Sequence, residues 1–258
     1  MSDRPAPEKL GAPGAVLIVG GTGEARRLAE VLHAAGIPVL TSLAGRTANP
    51  HRPAGDLRIG GFGGPEALAA WLRAERMPAV VDASHPFATQ IAATAAAACT
   101  TTGTPLLRLE RPAWTERPGD RWHRVGTLAE AAALVPQLGR RVLLTTGRQG
   151  VAQFAGVAAC WFLIRCIEPP APPLPRNHAM LLARGPYRLA DELALFDRHQ
   201  VDALVTKDSG GAPTEAKLEA ARQRGVPVVV VRRPLRAGSE TVTTVEQAAA
   251  WVRTHIPA

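Results

Sequence analysis

Short apolar runs that stop at glycine recur along this chain, each followed by a stretch with helical spacing. Val16-Leu-Ile-Val-Gly20 is apolar up to its glycine, the pattern of a strand buried on both faces. From Glu24 to Ala35, the residues Ala25, Leu28, Ala29, Leu32 and Ala35 fall on one helical stripe, and Gly36 ends it. Ile37 to Leu43 reads as a second strand, which completes a βαβ unit. Gly64-Pro65 opens a helix running to Arg76, with Pro at a first-turn position. Ala79 to Ala83 is a strand that ends at Ser84-His85-Pro86-Phe87. An Ala-rich helix over Thr89 to Thr101 stops at Gly103, and Pro105 to Leu109 is the next strand. Thr127-Leu-Ala-Glu130 has the form of a capping box before another Ala-rich helix.

The second half repeats this order. Gly103 to Pro112 aligns with Gly225 to Pro234 in its Gly, Pro, apolar and Arg-Pro positions. Gly64-Pro65 aligns with Gly185-Pro186, Ala79 to His85 with Ala203 to Ser209, Val125-Gly-Thr with Val242-Thr-Thr, and Val16 to Gly21 with Val142 to Gly147. Five matches in one order at one offset, about 120 residues, describe a duplicated α/β plan with mainly parallel sheets covered by helices. The break is expected near Gly139, giving domains 1–138 and 139–258, with the C-terminal helix packing across that boundary. In such sheets ligands bind at the carboxyl ends of the strands. Those ends are the loops 20–24, 84–87, 145–150 and 206–211, and a ligand cleft between the domains is the expected arrangement.

Composition narrows the function classes. The 258 residues hold no apolar run long enough for a membrane span, and the polar start of the chain lacks the apolar core of a secretory signal. Three cysteines without Cys-x-x-Cys spacing argue against a disulfide framework or a thiolate metal site and fit buried thiols in a cytoplasmic protein. The net charge of +8 is carried almost wholly by Arg and favours anionic partners. Only 4% of residues are aromatic and no basic run occurs, so a small polyanion fits better than nucleic acid.

Four loops carry the candidate chemistry. Gly20, Gly21, Thr22, Gly23 and Glu24 join a buried strand to a helix, where backbone N–H groups can meet a phosphate. The match to Gly-x-Gly-x-x-Gly is incomplete because Arg26 holds the last glycine place, and such turns also occur in flavin, nucleotide-sugar and non-binding folds. An NAD site carries an acid at the end of the second strand. Here Thr41-Ser-Leu-Ala-Gly-Arg-Thr47 has none, and Arg46 suits the 2′-phosphate of NADP. Ser84 and His85 could contact the cofactor, and no nucleophilic triad or metal constellation accompanies them. Arg148, in Thr145-Thr-Gly-Arg-Gln-Gly150, could meet a carboxylate. Lys207 stands out as the one Lys between Lys9 and Lys217 in a chain that uses Arg almost everywhere else, which points to a tunable proton donor or compact charge, with Asp208 beside it and Ser209 and Gly210 free to approach a ligand.

Together, Val16 to Ala25, Ser42 to Arg46, Val80 to Ala88, Leu144 to Arg148 and Val205 to Gly211 resemble the precorrin-6A reductase family of corrin-ring (vitamin B12) biosynthesis. The family's loop often has a further Gly after Gly211, where this chain reads Ala212-Pro213-Thr214. The resemblance implies two Rossmann-like domains with the active site in their cleft. It implies reduction of a double bond of precorrin-6A to precorrin-6B by NADPH, acting on a tetrapyrrole polycarboxylate. The cofactor residues are then Gly20 to Glu24, Arg46, Ser84 and His85; the substrate residues are Arg148, Lys207, Ser209 and Gly210; the catalytic pair is Lys207 and Asp208. A monomer or weak homodimer is expected. The alternatives are an NADP-binding sensor, or another Rossmann oxidoreductase acting on an anionic small molecule.

Overall fold

The computed structural model describes residues 12, 14–45, 52–236 and 238–256. Arg46 lies outside them. Among the described residues, twelve strands form two six-stranded sheets, and every neighbouring pair runs parallel.

The first sheet has the order β12-β5-β4-β1-β2-β3. Its strands are β1 (Val16–Val19), β2 (Val39–Leu43), β3 (Asp56–Ile59), β4 (Val80–Asp82), β5 (Leu106–Leu109) and β12 (Glu240–Val242). The all-apolar β1 sits at its centre, fully buried, because a strand covered by helices on both faces must be apolar at every position. One face packs against α1 (Gly23–Ala34) and α7 (Val245–His255) through Leu28, Leu32, Ala249 and Val252. The other packs against α2 (Pro65–Ala74) and α3 (Thr89–Thr102) through Leu68, Leu72, Ala95 and Ala98.

The second sheet has the order β6-β11-β10-β7-β8-β9. Its strands are β6 (Trp122–Val125), β7 (Arg141–Thr145), β8 (Trp161–Cys166), β9 (His178–Leu182), β10 (Ala203–Lys207) and β11 (Val228–Val231). Helices α5 (Leu189–His199) and α6 (Ala216–Gln223) cover one face through Phe196, Leu218 and Ala221. Helix α4 (Leu128–Leu134) belongs to the same unit, and its Thr127 accepts from the Glu130 N–H as the sequence predicts.

The two sheets have the same strand order, in line with the duplicated plan, but each half donates its last strand to the other sheet. β6 follows β5 in the chain yet pairs with β11; β12 follows β11 yet pairs with β5. The chain therefore divides as residues up to Arg111 with Leu235 onward, and Pro112 to Pro234, rather than once near Gly139. The expected domains 1–138 and 139–258 are corrected accordingly. The physical reason is that the outermost strand of a parallel sheet is joined only along one edge, and the two halves offer similar edges, so backbone pairing is satisfied by either last strand.

Candidate functional site

In the first unit, the glycine turn leaves the carboxyl end of β1. Gly20 has φ +123, and a Cβ there would lie 2.6 Å from Ser84 Cα, 2.7 Å from the Ala83 carbonyl oxygen and 2.7 Å from Ser84 N. Only glycine lets β1 pass this close to the end of β4. Thr22 is the N-cap of α1: its hydroxyl accepts from the Ala25 N–H at 3.1 Å and donates to the Ala83 carbonyl at 2.8 Å. Arg26, in the place of the motif's last glycine, donates to the Gly21 carbonyl at 3.0 Å. Gly21 and Gly23 are exposed; Thr22 caps the Ala25 N–H, which leaves the Gly23 and Glu24 N–H groups at the start of α1 as the candidates to meet a phosphate.

Glu24 places a carboxylate at this positive helix end, and Arg111 holds it at 2.7 Å. The pairing neutralises a charge that would otherwise face an incoming phosphate. Arg111 was not singled out in the sequence; the repeated Arg-Pro dipeptide was visible, but its partner lies 87 residues away.

The second loop of this unit is braced from beneath. Asp82 is buried; it accepts from the Ser84 N–H at 3.0 Å and stands 3.8 Å from Arg108 and 3.5 Å from Arg236. Arg236 also donates to the His85 carbonyl. The His85 ring accepts from the Phe87 N–H through Nδ1 at 3.2 Å, so the neutral tautomer carries its proton on Nε2 as a donor. Ser84 Oγ is buried with no hydrogen-bond partner among the described residues. A hydroxyl so placed costs about 1–3 kcal/mol unless a ligand atom satisfies it. The exposed glycines and the uncapped N–H groups at the start of α1 fit a phosphate.

In the second unit, the ends of β7 and β10 carry the other candidates. Arg148 is half-buried and pairs with Glu168 at 2.9 Å. Lys207, also half-buried, has its pKa lowered from the ordinary lysine value by burial. Asp208 is expected to assist it. The structure shows its buried carboxylate accepting from the Trp114 N–H at 3.1 Å and lying 3.9 Å from Arg124, so it fastens the loop to the segment entering this unit. Trp114 also donates through its indole N–H to the Gly211 carbonyl at 3.1 Å. Arg233 donates to the Asp208 carbonyl at 2.9 Å and to the Pro112 carbonyl at 3.2 Å. Gly210 has φ +65, and a side chain there would strike Pro112 and Arg233. Ser209 folds back, donating from both N–H and Oγ to the Lys207 carbonyl. Trp114 and Arg124 act through contacts far apart in sequence that no local signal marked; Arg233 stands in the repeated Arg-Pro dipeptide, which marked its place but not its partners.

Among the described residues, no helix is long and apolar enough to cross a membrane, and no group of three or more His, Cys, Asp or Glu is placed to hold a metal ion.

The model of the family described as precorrin-6x reductase CbiJ/CobK matches residues 15–253. A precorrin-6A reductase of Rhodococcus erythropolis is 54% identical over 241 residues, covering 93% of this chain and 97% of the relative. A cobalt-precorrin-6A reductase of Salmonella typhimurium is 31% identical, covering 86% and 88%. The solved structure of a CobK precorrin-6A reductase superposes with a TM-score of 0.88 at 40% identity, covering 93% of this chain and 96% of that one. With its parallel two-sheet α/β architecture and a family match running from β1 into α7, the chain belongs to the precorrin-6x reductase family.

Proposed function

We propose that this protein reduces a ring double bond of precorrin-6A to give precorrin-6B in cobalamin biosynthesis, with NADPH as reductant. The observation that carries the reading is the glycine turn of the first unit, exposed at Gly21 and Gly23 and closed against the Ser84 backbone at Gly20, in a chain of this family. NADPH supplies the hydride. The chain's own groups do the rest. The N–H groups at the start of α1 bind the pyrophosphate, and pairing of Glu24 with Arg111 keeps that end of the helix receptive. Arg46 takes the 2′-phosphate, which accounts for NADPH over NADH. Ser84 Oγ and His85 Nε2–H hydrogen-bond the ribose or nicotinamide amide.

Arg148, Lys207, Ser209 and Gly210 serve the substrate. Arg148 meets a substrate carboxylate, exchanging its bond to Glu168 for it. Lys207 gives a proton to the carbon next to the one that is reduced; its lowered pKa brings it nearer neutrality, where a proton donor works best. Asp208 acts as a positioning residue through its grip on Trp114.

The test is anaerobic incubation with precorrin-6A and either NADPH or NADH, following nicotinamide oxidation and the pigment spectrum. NADPH oxidation matched to pigment change, with a strong preference over NADH that Arg46→Ala removes, is expected. NADPH binding without oxidation would instead identify a sensor.

A further inference from the structure

The rim where β8 and β9 end has a composition that the loops above do not explain. These are neighbouring strands at one edge of the second sheet, with Cys166 opposite Leu182. Among the described residues the exposed large hydrophobic side chains are Ile59, Ile167, Leu182 and Leu235, and two of the four stand here, Ile167 at 51% and Leu182 at 52% exposure. The next residues, Ala183 to Arg188, form a loop that presents Arg184 and Arg188 to solvent. On the adjoining strand end, Glu168 is the partner of Arg148. Apolar surface, two exposed arginines and the Arg148–Glu168 pair therefore share one rim, at the same end of the sheet as Lys207.

This loop is held firmly. Beneath it, Arg165 and Glu192 form an ion pair buried to within a few per cent of full, at 2.5 Å. Buried pairs are weak sources of net stability, because desolvation offsets most of their attraction. Here the pair fixes a surface: the Arg165 guanidinium lies 4.0 Å from the Tyr187 ring centroid, and Tyr187 OH donates to the Ala183 carbonyl at 3.1 Å. Tyr187 N–H donates to the Pro213 carbonyl at 3.2 Å, which ties the loop to the segment following Gly211. The loop that carries the two exposed arginines is thus anchored at Ala183 and Tyr187.

We propose that Ile167, Leu182, Arg184 and Arg188 form a substrate subsite that takes one carboxylate-bearing edge of the tetrapyrrole, apolar side chains against the ring and arginines against its acid side chains. This rests on the reading that precorrin-6A is the substrate. Charge complementarity selects that occupant: a flat apolar ring edged with carboxylates needs apolar surface flanked by cations, and guanidinium grips carboxylate in two-pronged fashion.

The test is steady-state kinetics at saturating NADPH with precorrin-6A varied, using Arg184→Gln/Arg188→Gln, Ile167→Ser/Leu182→Ser, and Arg198→Gln as a control that removes one positive charge at the last turn of α5. Either double variant is expected to raise KM about tenfold with kcat held within about twofold, and NADPH affinity unchanged. The arginine variant should also flatten the rise of KM with salt. Arg184→Lys/Arg188→Lys should recover part of the loss, and Arg198→Gln should match the unaltered protein. Unchanged KM in both double variants, with the unaltered protein turning over normally, overturns the subsite. An equal rise in KM with Arg198→Gln overturns it too, since bulk charge then suffices. No turnover of precorrin-6A by the unaltered protein overturns the underlying reading of function, and the subsite with it.

Discussion

Replacing Gly20 by Ala tests whether the glycine turn is a packing necessity. The added Cβ would sit 2.6–2.7 Å from Ser84 Cα, Ser84 N and the Ala83 carbonyl oxygen, all of them backbone atoms that no rotamer change can move. Ordinary contact would need roughly another 0.8 Å, so β1 and the β4 end must separate at the centre of the first sheet. Overpacking of this kind costs about 1–3 kcal/mol. The φ of +123 is a second penalty, about 1–3 kcal/mol, because a side chain is poorly accommodated there. The sum, about 4 kcal/mol, is a large part of a typical stability of ~5–15 kcal/mol. With a urea slope of about 2 kcal/mol/M it moves the unfolding midpoint of the first unit down by about 2 M. Gly21→Ala is the matched control: its Cβ would meet only the Leu43 Cδ2, at 3.1 Å, the far end of a flexible side chain. It should cost under about 1 kcal/mol. Urea unfolding followed by circular dichroism reads both. Equal midpoints for the two variants would refute the close-approach argument. NADPH titration of Gly20→Ala under native conditions should show at least about tenfold weaker binding, since the cradle shifts with the strand.

Three further outcomes follow from the geometry. Arg111→Ala leaves the Glu24 carboxylate unneutralised at the start of α1 and should weaken NADPH about tenfold, while Arg111→Ala/Glu24→Gln restores most of it; additive losses in this double-mutant cycle would contradict the pairing argument. Burial lowers the Lys207 pKa, so between that value and the usual lysine value near ~10.4 the unfolded chain binds more protons and stability rises with pH. Lys207→Met removes the penalty: it should equal or exceed the unaltered protein in stability at neutral pH, the gap closing as pH approaches that of free lysine, with turnover lost; a gap that widens with pH would contradict this. Cys99, Cys160 and Cys166 are buried, and burial raises all three pKa values, Cys99 to about 12. A thiol reagent at mildly alkaline pH should therefore label fewer than one per native chain over minutes and all three after unfolding.

What the sequence disclosed tracks the range of the interactions involved. The β1 strand, its glycine turn and the Thr127 cap are local events, and each stands in the fold where periodicity and capping chemistry placed it. Gly103 ends α3 in the left-handed conformation expected of it. Edge strands were harder. β3 and β9 carry no strong alternation, because an edge strand is only partly covered, and neither was foreseen. The exchange of β6 and β12 could not be read at all: the duplicated sequence shows that the last strands are equivalent, and equivalence is what makes either partner acceptable. The site behaves the same way. Gly20 and Lys207 were legible as residue types in loops. The groups that hold those loops, Arg111 for Glu24, Arg236 for His85 and Trp114 for Asp208, lie 87 to 151 residues from their partners, beyond any local pattern.

In the proposed reaction this chain moves a hydride from NADPH to precorrin-6A. That transfer is tested most directly with NADPH deuterated at the transferable position of the nicotinamide, incubated anaerobically with precorrin-6A, and the pigment analysed by mass spectrometry. The expected product is precorrin-6B carrying one deuterium per NADPH oxidised, with protium from solvent at the neighbouring carbon. Reduced pigment without deuterium, or NADPH left unoxidised beside unchanged precorrin-6A, would contradict the account.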